Sequence, residues 1–158
     1  MSELRLRIVP YVAGNLAEAT DLWVEAWTRT MSGLDFHARR EWFGAHIGQM
    51  RDRGADIICV FDAADGHMAG FITHEKPGYI DQFAVAVRDW GSGSAAVLLD
   101  EAKRLSAGGS LMLDVNQDNP RAIRFYEREG FSRVREGRNA TSGLATWRYE
   151  WVDISRVG

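Results

Sequence analysis

Residues 79–131, YIDQFAVAVRDWGSGSAAVLLDEAKRLSAGGSLMLDVNQDNPRAIRFYEREGF, decide the fold of this chain. Hydrophobic periodicity and helix stop signals predict two strand-to-helix units in this stretch: Tyr79–Val87 with Ala95–Leu105, then Leu111–Val115 with a short helix from Asn119 to Gly130. The two junctions would lie side by side, each with free backbone N–H groups at a helix start. The stretch therefore suits a ligand that has a diphosphate at one end and a reactive group at the other.

The rest of the chain predicts two helices, an antiparallel meander and two closing strands. Strands are expected at Leu4–Val9, Ile57–Phe61, His67–Thr73, Phe131–Arg135 and Ala145–Trp151. The first helix opens at Asn15, which has the spacing of a capping box with Glu18, and the second ends near Gly54. This order favours a single α+β domain over residues 1–158, with a mixed, mostly antiparallel sheet flanked by helices.

Composition limits the classes of function. A net charge of −3 gives no electrostatic reason to expect nucleic acid or a membrane surface as a partner. No apolar run approaches the ~20 residues of a membrane span, and the first residues lack the apolar core of a signal peptide. The single cysteine, Cys59, lies in the apolar run Ile57–Phe61 and is expected to be an unreactive core thiol. We therefore expect a cytoplasmic protein.

The glycine turn at the first junction favours a phosphate-binding site. Gly91, Ser92, Gly93 and Ser94 allow the backbone to approach a phosphate closely, and no Lys-Ser/Thr pair follows as in a Walker loop. The spacing also matches a dinucleotide fingerprint, with Asp114 at the end of the next strand. The preceding helices and meander argue against that interpretation, since such a fold continues with parallel β-α units.

The second junction carries the more specific pattern. Strand alternation puts Asp114 and Asn116 on one face, Asn119 is a natural N-cap, and Pro120 suits the first helical position. Two stretches together resemble the GNAT superfamily of acetyl-CoA-dependent N-acetyltransferases: Phe83-Ala84-Val85-x-Val87-x-x-Trp90-Gly91-Ser92-Gly93-Ser94-Ala95 and Asn119-x-x-Ala122-x-x-Phe125-Tyr126-x-x-x-Gly130-Phe131. The match is continuous from about Ile80 to Phe131.

The chain departs from the family pattern at two positions. Trp90 stands where a Gln or Arg is usual, and Val87 replaces a common Pro. A shifted alignment restores an arginine at Arg88 but breaks the spacing from Val85, so the unshifted one is preferred.

The resemblance implies a bound acetyl-CoA. Its pantetheine arm would enter between two splayed strands and bond to the first strand's backbone as an added strand would, and its diphosphate would rest on the glycine turn. Asn119 would contact the arm or hold the second junction. The residues expected at the coenzyme are Phe83, Ala84, Val85, Gly91, Ser92, Gly93, Ser94, Ala95, Ala96 and Asn119.

The resemblance also implies direct acetyl transfer to an amine. Tyr126 matches the position of the usual acid, which protonates the departing thiolate, and the N–H near Val85 could bind the thioester oxygen. Asp81 and Asp114 are the candidate bases, with His74 and Glu75 as weaker ones. By element order, the acceptor pocket would involve Trp27 and the loop 29–35.

Several alternatives stay open. A CoA-binding module without turnover and an NAD(P)-binding oxidoreductase are the other functions considered. The spacings of the four histidines predict no metal site: His37 and His46 lie nine apart on a helix, and His67 and His74 lie seven apart on a strand. The acceptor is expected to be a small-molecule or peptide amine, with net acidity slightly favouring a cation. The aromatic final strand could pack internally or against a second copy in a homodimer.

Overall fold

The computed structural model describes residues 5–31, 33–106 and 108–156. Eight strands lie in these ranges: β1 (Leu6–Pro10), β2 (Asp56–Asp62), β3 (Met68–His74), β4 (Tyr79–Ile80), β5 (Phe83–Val85), β6 (Ser110–Asn116), β7 (Ser132–Arg138) and β8 (Ala145–Val152). The α-helices of the same ranges are α1 (Leu16–Thr30), α2 (Arg40–Asp52), α3 (Ser94–Leu105) and α4 (Pro120–Arg128). Across this described part of the chain, every helix is too short or too polar to cross a membrane.

The strands form two four-stranded sheets. The first has the order β1-β2-β3-β5, and all its neighbours are antiparallel. The second has the order β4-β6-β8-β7, in which β4 runs parallel to β6 and the other pairs are antiparallel. The expected α+β class, mixed and mostly antiparallel, is confirmed. The described strands contain no doubly wound parallel sheet, so the dinucleotide interpretation is wrong.

Two apolar cores fix the helices against the first sheet. Helices α1 and α2 bury Trp23 and its neighbours against a face that includes Phe71. Helix α3 buries Leu98 in a second core with Ile72 and residues of the second sheet. Gly70 lets α3 come close to β3, because a Cβ at this position would lie 2.9 Å from the Leu98 Cδ1 atom.

The predicted continuous strand Tyr79–Val87 is wrong. The chain pairs with β6 as far as Ile80, leaves both sheets at Asp81 and Gln82, and pairs with β3 from Phe83. Asp81 therefore does not continue a regular strand face with Phe83. Since each half of the segment joins a different sheet, β5 and β6 diverge and leave a cleft between them.

The side chain of Thr73 holds this break in place. Its Oγ1 atom accepts hydrogen bonds from the N–H groups of Asp81, at 3.2 Å, and Gln82, at 2.9 Å. The backbone N–H of Thr73 also donates to the Gln82 carbonyl at 2.9 Å. Backbone groups that lose their sheet partners at the break thus gain one fully buried hydroxyl instead.

The capping box at the start of α1 is also wrong. The Asn15 side chain accepts from the N–H of Val12 at 2.8 Å, and Glu18 accepts from the N–H of Met68 at 2.8 Å. A tertiary contact therefore uses the carboxylate that local spacing assigned to the helix start. The first strand begins at Leu6, and the expected residue Leu4 lies outside the described residues.

The local predictions at the two ends of α4 and at Cys59 agree with the structure. Asn119 caps α4 by accepting from the N–H of Ala122 at 3.3 Å, and Gly130 follows the helix with a φ of +95°. Cys59 is fully buried, and burial raises the pKa of its thiol to about 12, which keeps it protonated.

We expect Thr73→Val to destabilise the fold at the strand break. Valine keeps the shape but leaves the N–H groups of Asp81 and Gln82 without their acceptor, which should lower the free energy of unfolding by about 1–3 kcal/mol. Urea unfolding of wild type and variant measures the difference. Thr20→Val is the matched control, since the buried Thr20 hydroxyl only donates to the carbonyl of Leu16 within α1. Equal losses in the two variants would contradict the role given to Thr73.

Candidate active site

A single open cleft of about 970 Å³ follows the gap between β5 and β6. One end is lined by the glycine turn and the start of α3. The middle is lined by β5, β6 and α4, and the other end by α1, the following loop and the start of α2. The cleft therefore connects both strand-to-helix junctions with the region where an acceptor was expected.

The edge of β5 that faces the cleft carries unpaired backbone groups. Ala84 is the register partner of Phe71, and the N–H of Ala86 donates to β3 at 2.8 Å. Alternation along the strand then directs the backbone groups of Phe83 and Val85 away from β3. Within the described ranges, the N–H groups of Phe83 and Val85 have no protein partner. This edge can therefore accept an extended ligand as an additional strand.

The glycine turn offers a second set of donors. Gly91 and Gly93 adopt φ values of +82° and +94°, which other residues rarely adopt. In the part of the chain that the structure describes, no protein acceptor meets the N–H groups of Gly91, Gly93, Ala95 and Ala96. Ser94 is buried, with its Oγ 2.9 Å from that of Ser92. The turn thus has the geometry of an anion site at a helix N-terminus.

Trp90 connects the two junctions. Its indole N–H donates to the Val85 carbonyl at 2.9 Å, and the Arg121 guanidinium lies 3.8 Å from the centroid of its ring. Burial lowers the pKa of Arg121 from its ordinary value, which is high enough for the side chain to stay a cation. The position that lacks the usual Gln or Arg is therefore covered by an arginine from α4. The sequence pattern alone does not reveal this contact, because Arg121 and Trp90 belong to elements that are distant in sequence.

Tyr126 faces the cleft from α4. The half-buried ring packs against Phe83 and Phe131, with centroids 6.3 and 5.6 Å away. Among the described residues its hydroxyl has no hydrogen-bond partner. Burial raises the pKa of this phenol above its ordinary value, so it stays protonated at neutral pH. A protonated donor without a protein acceptor thus lies beside the free edge of β5.

The two candidate bases, Asp81 and Asp114, both line the cleft but differ in their hydrogen-bond partners. Asp114 accepts two hydrogen bonds from Arg148, both 2.9 Å long, and a third from the hydroxyl of Tyr79 at 2.9 Å. Burial alone would raise the pKa of Asp114, but these hydrogen bonds outweigh it and lower the pKa. Asp81, at the strand break, instead bonds to Nε2 of His46 on α2.

Sequence reasoning did not predict the contact between His46 and Asp81. His46 lies on α2 and stacks on Trp42 at a centroid distance of 4.6 Å. The weaker candidate bases do not line the cleft: His74 bonds to the Ser106 hydroxyl at 3.0 Å, and Glu75 to Arg53 at 3.2 Å. Asp81 is therefore the candidate base that lines the cleft, has a histidine partner and is not paired with an arginine of the described residues.

One histidine and two aspartates form a cluster next to the residues that precede the glycine turn. Ligand atoms of Asp62, His67 and Asp89 lie within 4.8 Å of one another. His67 already uses both ring nitrogens, Nδ1 toward Asp65 and Nε2 toward Asp89 at 2.8 Å. Burial lowers the pKa of His67, but the two carboxylates outweigh it and raise the pKa. A metal ion would compete with that proton, and the absence of a metal stays a prediction.

Comparisons with known proteins agree with this architecture. The sequence pattern of the Acetyltransferase (GNAT) family matches residues 16–131. A sequence comparison with curated proteins finds no match.

Three solved structures illustrate the likeness of fold. Apo YjaB from Escherichia coli has a TM-score of 0.75 and 17% identity, covering 93% of this chain and 97% of its own. The paia N-acetyltransferase from Thermoplasma acidophilum, in complex with coenzyme A, has a TM-score of 0.73 and 18% identity, covering 93% and 98%. A phosphinothricin acetyltransferase from Sinorhizobium meliloti, in complex with AcCoA, has a TM-score of 0.73 and 15% identity, covering 94% and 88%. The family pattern covers residues 16–131, which is most of this chain, and the solved structures share its fold. The chain therefore belongs to the acetyltransferase (GNAT) family.

Proposed function

We propose that the protein transfers the acetyl group of acetyl-CoA to a primary amine of a small molecule or peptide. The observation that carries this proposal is the free backbone edge of β5, which lies in one cleft between the unpaired donors of the glycine turn and the hydroxyl of Tyr126. A long carrier with a diphosphate and a thioester fits that sequence of groups. Two solved structures of similar fold hold CoA or AcCoA.

The chain's own donors account for coenzyme binding in this proposal. The N–H groups between Gly91 and Ala96 bind the diphosphate, supported by the positive end of α3. The pantetheine arm lies along Phe83, Ala84 and Val85. The Val85 carbonyl already accepts from Trp90, and its second lone pair remains for the arm. The oxygen of Asn119 caps α4, which leaves its amide N–H groups for a ligand.

Arg121 supplies the cation that the glycine turn lacks. Stacking on Trp90 holds its guanidinium at the mouth of the cleft between the two junctions, where the negatively charged part of the coenzyme would lie.

Asp81 is the proposed base. A lysine-like amine with pKa ~10.4 is mostly protonated at neutral pH and cannot attack until a base removes its proton. Asp81 can accept that proton directly or through water. His46 bonds to Asp81 and can pass the proton on, away from the cleft. Asp114 is the poorer base, because its three hydrogen bonds stabilise the carboxylate.

Transfer then proceeds by direct attack. The amine nitrogen bonds to the acetyl carbon, and the N–H of Val85 stabilises the oxyanion that develops on the acetyl oxygen. The carbon–sulfur bond breaks, and the Tyr126 hydroxyl gives its proton to the departing thiolate. The products are the acetylated amine and the free thiol. The nitrogen loses its second proton to solvent as the amide forms, and the proton held at Asp81 restores the phenol by way of solvent.

Tyr126→Phe tests the acid. We expect kcat for amine-dependent thiol release to fall about 100-fold, within the range for one general acid, while binding of acetyl-CoA changes little. Thiol release is followed with a chromogenic thiol reagent. Tyr11→Phe is the control, since Tyr11 is buried outside the cleft. Unchanged turnover in Tyr126→Phe would remove the acid role. Binding of acetyl-CoA without release by wild type, for any amine, would favour a binding module instead.

Asp81→Asn and Asp114→Asn distinguish the two bases. We expect Asp81→Asn to lower kcat/KM about 100-fold at pH 7 and Asp114→Asn to lower it less than tenfold. The activity left in Asp81→Asn should rise about tenfold per pH unit up to the pKa of the amine, ~10.4 for a lysine-like acceptor, because the amine then loses its proton without help. A pH–rate profile measures this. A larger loss in Asp114→Asn would assign the base to Asp114.

Arg121→Ala tests the coenzyme contact. We expect Kd for CoA to rise about tenfold at low salt and less at high salt, where ionic contacts are screened. Trp90→Ala should have a similar effect, and the double variant should be little worse than either, since both remove one stacked pair. Isothermal calorimetry measures the three values. Arg51→Ala, which removes a guanidinium stacked on Tyr11 outside the cleft, serves as control. Additive losses would show that the two residues act separately.

A further inference from the structure

The acceptor end of the cleft has aromatic walls. Trp27 of α1 stacks on Phe36 at 6.0 Å, and Phe36 meets Trp23 edge-on at 5.4 Å. Trp42, at the start of α2, lies 6.1 Å from Trp23 and is more than one-third exposed. We call the space between these rings and Asp81 the acceptor chamber. Trp23 and Phe36 are buried, and the partly exposed rings of Trp27 and Trp42 offer flat apolar surface, which suits a flat apolar body better than a flexible polar chain.

The charge of the acceptor chamber differs from that of the whole chain. Helix α1, the loop after it and the start of α2 contribute two arginines to its lining, Arg29 and Arg39, and no carboxylate. In the described ranges, neither arginine forms an ion pair, and Arg39 lies over the Phe36 ring at 5.6 Å. The acid at the inner end is Asp81. The net charge of −3 therefore does not describe this chamber.

This charge arrangement disfavours a polycation. A polyamine or an aminoglycoside carries several ammonium groups, each of which would need a carboxylate or carbonyl acceptor once it leaves water. The two arginines would instead repel the second and third cation. An arginine without an ion-pair partner is suited to a carboxylate, which it can bind through two parallel hydrogen bonds.

We propose that the acceptor is an amine on an aromatic body that also carries a carboxylate, the chemical class of aromatic amino acids and their derivatives. The aromatic walls take the ring, Arg39 and Arg29 at the rim take the carboxylate, and the amine meets Asp81. This inference rests on the proposed acetyl transfer and names the substrate class for it. It replaces the weak expectation of a cationic acceptor, which rested on net charge alone.

Four amines separate the contributions of ring and carboxylate. Phenylalanine has both, phenethylamine has the ring alone, alanine has the carboxylate alone, and spermidine is a polycation. With acetyl-CoA held constant, we expect kcat/KM for phenylalanine to exceed that for phenethylamine and for alanine by at least tenfold each, with spermidine lowest. Thiol release and mass spectrometry of the acetylated product provide the readout.

Two variants assign the preference to residues. Arg39→Gln should remove most of the advantage of phenylalanine over phenethylamine by raising KM for phenylalanine. Trp27→Leu should reduce the advantage of phenylalanine over alanine. Arg40→Gln is the matched control, because the neighbouring Arg40 pairs with Asp21 and does not line the cleft. Equal effects of Arg39→Gln and Arg40→Gln would overturn the carboxylate contact.

The outcomes separate this inference from the proposed function. Spermidine preferred over phenylalanine, with thiol release that depends on Tyr126, would overturn the acceptor class and leave the transferase standing. If no amine is turned over, the proposed function fails. Calorimetric titration of phenylalanine into the protein saturated with CoA then tests whether the acceptor chamber binds an aromatic amino acid. Binding that Arg39→Gln weakens at least tenfold supports the inference, and no binding overturns it.

Discussion

The hydroxyl of Thr73 is the contact on which the rest of the site depends. It satisfies two backbone N–H groups where the chain between β4 and β5 leaves both sheets. Without those bonds the interruption would leave donors unpaired in a half-buried region, which costs more than continuing one strand. The interruption lets β5 and β6 diverge, and their divergence creates the cleft. The buried side chain of Thr73 thereby stabilises the opening between β5 and β6 in which the proposed site lies.

The interruption also places the proposed base. A residue within a regular strand pairs its backbone on both sides and points to one sheet face, whereas Asp81 lies at the corner between two sheets. From there it meets both the cleft and His46 of α2. Asp114 lies in a regular strand beside Arg148 of β8, and the neighbouring strand neutralises it. The same side chain thus has different partners in the two positions, because one aspartate lies at a strand break and the other within a regular strand.

The coenzyme end depends on contacts between elements that are distant in sequence. Arg121 of α4 covers Trp90 of the glycine turn, and Trp90 in turn reaches the Val85 carbonyl. Behind the turn, His67 of the β2–β3 hairpin bonds to Asp89 just before Trp90. The glycine turn therefore combines residues of wide backbone freedom with neighbours that tertiary contacts hold in place, and this combination preorganises the N–H groups for an anion.

The sequence by itself determined the α+β class, the order of elements, the cap at Asn119, the glycine turn and the burial of Cys59, because each follows from local periodicity or local backbone preference. Its family resemblance also directed attention to Tyr126, which the structure brings to the cleft. Only the tertiary structure decided the break at Asp81, the partners of Asp81 and Asp114, the stack of Arg121 on Trp90 and the charge of the acceptor chamber. Strand alternation reports which face a residue occupies but not which strand it pairs with. For the same reason Glu18, read locally as a helix cap, bonds to the backbone of β3 instead.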